Sequence, residues 1–128
     1  MACEKLCKAH LCGQGTDPDQ LQSSHGYIAG TLRVIAKEQF ARLGGRDLKD
    51  RTTILRQIGH LAREIELLAP AVEDGGRRPQ NCEYPWEDAI GVHVPAEYEF
   101  PNLDLLHGGS GRLLLRLIPH AIEQIIVP

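Results

Sequence analysis

The sequence predicts a mostly α fold: a long antiparallel helical hairpin with short N-terminal and C-terminal helices, wrapped by an irregular strap marked by proline and aromatic residues. Three observations carry this. Apolar residues recur at the helical period through two runs, 18–43 and 47–69, joined by a connection short enough to force antiparallel neighbours. Residues 71–109 hold Gly75, Gly76, Pro79, Pro85, Pro95 and Pro101, where helix cannot persist. A third apolar run, from Arg112 to Val127, closes the chain. The alternative is an α+β domain with a small sheet in 89–117. With 128 residues, at the usual ~100 to 200 residues per domain, one domain is expected. Its parts are an N-terminal helix (1–15), the hairpin (16–70), the strap (71–109) and the C-terminal helix (110–128).

In residues 2–12, Cys3, Leu6, Cys7, His10 and Leu11 share a helical face, and Gly13 is placed to close the helix. The next start is marked by Thr16 or Asp17 as cap, Pro18 at the first helical position and Asp19 at the positive end of the dipole. Leu21, Ser24, His25, Ile28, Leu32, Ile35, Ala36, Gln39 and Leu43 then form one stripe as far as Gly44 and Gly45. The second arm, capped by Asp47 or Asp50, places Leu48, Ile54, Leu55, Ile58, Leu61, Ala62, Ile65 and Leu68 on its apolar face and stops at Pro70. A turn centred between Gly45 and Arg46 sets Leu32 against Gly59 and His25 near Ile65 or Glu66.

The strap carries Tyr84, Trp86, Tyr98 and Phe100. Leaving four rings in water would forgo about 1.5 to 3 kcal/mol each, so an ordered segment is expected, with a short strand at 90–94. In the last run Leu114, Leu117, Ile118, Ala121, Ile122 and Ile125 face one way and Arg112, Arg116, His120 and Glu123 the other. Pro119 either kinks that helix or starts it, after an extended 113–117.

The formal net charge of -3 argues against a dedicated nucleic-acid-binding body, yet charge is segregated along the chain. From Arg33 to Arg56 seven basic residues face three acids; from Glu83 to Asp104 six acids stand without a Lys or Arg. The start of the sequence has no secretory pattern and no stretch of about 18 apolar residues occurs, so neither export nor a membrane partner is expected. Four cysteines without an export signal fit a reducing compartment, the cytoplasm.

Three candidate sites follow. Cys3, Cys7 and His10, with Cys12 beyond, offer soft ligands suited to zinc; otherwise no cofactor is expected, and buried thiols beside Leu6 and Leu11 explain the same letters. Arg42, Arg46, Lys49 and Arg56 along the hairpin tip, and Ser110 and Arg112 in a glycine-rich helix start, could hold anions or nucleic acid. A flexible connection capped by Ser110 is the plainer account of the second group. Gly26, Tyr27, Gly30, Val34 and Ala41 form a second face of the hairpin where small residues allow close approach of another helix.

That face motivates the leading expectation, a non-catalytic helical assembly or partner-binding subunit, associating with itself or with another protein. A nucleic-acid-binding module using the basic hairpin tip is the alternative, and a zinc-binding protein the second alternative. No catalytic residue is assigned. The chain lacks a Gly-x-Ser-x-Gly elbow, a dinucleotide fingerprint and a His-Glu-x-x-His motif. His60 with Glu64, and Arg116 with His120 and Glu123, read as solvated helix faces.

Overall fold

The computed structural model describes residues 2–22, 26–42, 48–69, 80–101 and 104–126. The fold is mostly helical, as the sequence predicts, with a two-stranded antiparallel sheet in the strap. Helix α1 spans Ala2–Gly13, α2 Pro18–Gln22, α3 Ile28–Arg42 and α4 Leu48–Glu66. Strands β1 (Trp86–Glu87) and β2 (Val92–His93) follow, then α5 (Asp104–His107) and α6 (Gly109–Ile126).

Helix α1 turns Leu6 and Cys7 inward, while Glu4 and Lys8 pair one turn apart at 2.9 Å. It is closed by Gly15 rather than Gly13. Gly15 adopts φ +90°, and Thr16 N–H reaches Leu11 O at 3.0 Å while Gly15 N–H reaches Cys12 O at 3.0 Å. This is the paired bonding that satisfies the last helical carbonyls, and it needs the left-handed residue two positions beyond the expected stop. Asp17 caps α2 as predicted, its Oδ1 accepting from Asp19 N–H at 3.0 Å.

The first arm of the hairpin is not one helix over 18–43. It ends as α2 at Gln22 and restarts as α3 after a turn at Gly26 and Tyr27. The restart frees an amide that is used across the hairpin: Ala29, in the first turn of α3, donates its N–H to Glu66 Oε1 at 3.1 Å. An uninterrupted helix would engage that amide internally and leave a buried carboxylate short of a donor. Ser24, His25, Leu43, Gly44, Gly45, Asp47, Pro70, Gly75, Gly76 and Pro79, to which the sequence reading assigns caps, turns or stripe positions, lie outside the described residues.

The pairing of the two arms follows the expected antiparallel register. Arg51 sits over the Phe40 ring at 5.7 Å and Arg33 lies against Gly59, whereas Glu66, expected near His25, meets Ala29 one turn further on. The Arg33 contact is one residue from the predicted Leu32 partner. Leu32, Ile35 and Ala36 of α3 and Ile58, Leu61 and Ala62 of α4 are buried, and Leu6 and Cys7 of α1 with Leu114, Leu117 and Ala121 of α6 complete the core. Burial of such side chains contributes about 1.5 to 3 kcal/mol each for the larger ones. Gln39, buried on α3, exchanges amide hydrogen bonds with Gln124 of α6 at 2.7 and 3.3 Å, so its polar atoms are satisfied inside the packing.

In the strap, Cys82 N–H bonds to Leu68 O at 3.0 Å, tying the segment to the end of the hairpin. Asn81 Oδ1 accepts from the amides of Glu83 and Tyr84 at 2.9 and 2.7 Å. Trp86 pairs with His93 and Glu87 with Val92 in the small ladder. Its turn is held by Asp88, whose Oδ1 accepts from Ile90 and Gly91 amides and whose Oδ2 meets His93 Nε2 at 2.8 Å. That bond, with the two amides, holds the Asp88 carboxyl below its ordinary pKa. The expected strand at 90–94 thus shrinks to two residues, with Ile90 89% exposed. Three of the four rings pack on one another: Trp86 lies 4.8 Å from Tyr98 and 6.0 Å from Phe100 between centroids. Tyr84, expected to be covered, is 62% exposed.

Residues 113–117 are helical, which corrects the alternative of a sheet reaching 117. Helix α6 continues through Pro119 from Gly109 to Ile126, so the helix does not start there.

Candidate anion-binding cleft

A two-lobed cleft lies between α4 and the start of α6. One lobe, of about 490 Å3, is walled by Arg56, His60 and Leu61 from α4 and by Asp104 and Leu105 from α5. The other, of about 380 Å3, is walled by Ile54 of α4 and by Arg112, Leu113 and Arg116 of α6. Gln57, Gly109 and Ser110 border both.

The sequence builds this arrangement simply. Arg56 and His60 stand one turn apart on the outer side of α4, and Arg112 and Arg116 one turn apart on α6. Gly111 lets α5 fold back onto α6. A Cβ at this buried position would run into the Leu105 carbonyl oxygen and the Leu106 backbone, well inside van der Waals contact. That close approach brings Asp104 and Leu105 to the cleft wall. Ser110 is the hinge of the two lobes: its hydroxyl donates to Gln57 Oε1, locking α6 to α4, instead of capping the helix as expected.

The lobes differ in charge. Among the described residues the α6 lobe carries two guanidinium groups and no acidic wall, beside the positive end of an 18-residue helix dipole. The α4 lobe mixes Arg56 and His60 with Asp104 over an apolar floor of Leu61 and Leu105. Among the described residues no ion pair occupies Arg56, Arg112 or Arg116. The Ser110 hydroxyl donates to an amide oxygen, and the cleft presents cations, the Asp104 carboxylate and an apolar surface.

Of the residues singled out for anions, Arg56, Ser110 and Arg112 come together here, although about 55 positions separate the first from the others along the chain. Arg42 does not join them; it borders a separate cleft between α1, α3 and α6, beside His10 and Glu38. Arg46 lies outside the described residues, as does the side chain of Lys49. Arg116 and His60, read from the sequence as members of solvated faces, are the additions, and the signal that could have found them is their one-turn spacing from Arg112 and Arg56.

Of the N-terminal thiols, Cys3 and Cys7 pack against the core. Cys7 is fully buried and its thiol is pushed up to about 12, chiefly by loss of water and then by the charges of Cys3, Glu66 and Glu4. Burial also raises Cys3. Cys12 is exposed and His10 half-buried, and among the described residues no group of three or more His, Cys, Asp or Glu side chains is arranged to hold a metal ion. On the second hairpin face, Gly26, Gly30, Val34 and Ala41 are exposed. Tyr27 instead turns inward, packing on the core with Lys8 5.9 Å above its ring.

No protein-family model, curated protein or solved structure matches the chain. Among the described residues no helix is long and apolar enough to cross a membrane.

Proposed function

We propose that the protein works by binding, and that the cleft between α4 and α6 takes a small phosphorylated molecule. The observation that carries this reading is the convergence of Arg56, Ser110, Arg112 and Arg116 on one concavity at the start of α6. The phosphate belongs in the α6 lobe, where two fork-shaped donors and the helix terminus favour a compact anion. The body of the ligand lies over Leu61 and Leu105, and Asp104 favours a donor group at its far end. Each guanidinium–phosphate contact strengthens as the ligand excludes water from the lobe.

Isothermal titration of the full chain with inorganic phosphate and with mononucleotides tests this. Saturable binding that weakens linearly on a log–log plot against salt, and that Arg112→Ala and Arg116→Ala each reduce by about tenfold or more, is the expected result. Binding that both variants leave unchanged would overturn it. An oligonucleotide bound far more tightly than a mononucleotide would transfer the site to the nucleic-acid alternative.

A further inference from the structure

The other flank of α6 is apolar and uncovered. Leu115 is 51% and Ile122 37% exposed, and Pro119 between them is exposed as well. Their spacing of four and three residues keeps all three on one side of the helix. Beyond Ile122 the apolar surface runs into a groove of about 390 Å3 formed with Ala2, Leu6 and Ala9 of α1 and Ile125 of α6, where Lys5 is the one charged border among the described residues. A helix normally covers such a seam.

We propose that a second copy of this chain covers it, with the two α6 helices packed antiparallel about a two-fold axis at Pro119. The sequence of α6 is matched to itself in that arrangement. Leu115 and Ile122 stand four residues before and three after Pro119, so each Leu115 meets the Ile122 of the other copy. Arg116 and Glu123 stand three before and four after, both exposed, so the rotation sets each Arg116 beside the opposite Glu123. Opposite charges flanking an apolar seam, on one self-complementary patch, are what an isologous helix pair requires. Among the described residues Glu123 lies beside His120 Nδ1, at 3.8 Å. The inference does not depend on the phosphate reading, although Arg116 borders that cleft too; Glu123 does not.

Sedimentation of the full chain without added phosphate, over concentrations from about 1 µM to 1 mM, tests it. A monomer–dimer equilibrium is expected with a Kd of roughly 1 to 100 µM, in keeping with a short helix seam. Glu123→Arg and Arg116→Glu, each placing like charges together, should weaken the dimer about tenfold, and the double exchange should restore it. Ile122→Asp should give monomer with unchanged helical circular dichroism. A monomer at every concentration would overturn the proposal. So would a dimer indifferent to these exchanges, including one that only Gly30→Leu on the hairpin face dissociates.

Discussion

Glu66, at the end of α4, accepts the backbone N–H of Ala29, in the first turn of α3, across 3.1 Å. The carboxylate is 2% exposed and also takes a hydrogen bond from Arg63 Nη1 at 2.5 Å. One side chain therefore ends the hairpin's second arm and begins the main helix of its first.

Removing it should cost more than an ordinary surface change. Glu66→Ala is expected to lower stability by about 1 to 3 kcal/mol, the loss of a helix cap and of a partly buried charge-assisted bond. Glu66→Gln keeps an acceptor oxygen and should cost less. Arg63→Ala should cost less than Glu66→Ala, because Arg63 is half-exposed and the Ala29 N–H still serves the carboxylate. Urea unfolding of the three variants checks the order.

This cap also marks where the sequence stopped being readable. The apolar stripes of α3 and α4 repeat every turn, so both helices and their antiparallel pairing were legible to within one residue, Arg33 standing against Gly59 where Leu32 is expected. The break at Gly26 was not, since the group that makes it favourable lies 37 residues away from Ala29. Gly15 escaped notice for a related reason: a closing glycine is chosen by left-handed backbone, and Gly13 stood first in line. In the cleft, the glycine-rich start of α6 and the basic side of α4 were each visible, but their meeting depends on packing between helices far apart in the chain. Tyr84 shows the limit of composition, because a ring can be left in water when its neighbours Trp86, Tyr98 and Phe100 cover one another.

Two glycines should respond in opposite directions to alanine. Gly111→Ala places a methyl where Leu105 and Leu106 backbone already stand, and is expected to destabilise by about 1 to 3 kcal/mol while displacing α5 from the cleft. Gly30→Ala meets open space within a regular helix and should stabilise by up to about 1 kcal/mol. Thermal unfolding of each variant decides the signs.

The four thiols should separate by reactivity under native conditions. Cys12 and Cys82 are exposed and should alkylate first, Cys3 more slowly and Cys7 last, as mass spectrometry of quenched samples would show. Rapid loss of Cys7 with the fold intact would contradict its place in the core.

Alkaline pH follows from the same burial. The folded Cys7 thiol ionises near 12 against 9.0 for an ordinary one, so the unfolded chain gives up this proton first as pH rises. The contribution is complete below 9.0 and declines as pH climbs to about 12. Cys7→Ala should flatten the decline in this window in urea titrations, at the expense of a small cavity at neutral pH.

The most direct test of the phosphate-binding account is where a phosphate lands. In a titration of isotope-labelled protein with inorganic phosphate, followed by backbone amide NMR, the account predicts saturable shifts centred on Gly109, Ser110, Arg112 and Arg116, with Arg56 and Gln57 following and α1 unmoved. Shifts spread evenly over exposed basic residues, or none at the start of α6, would contradict it.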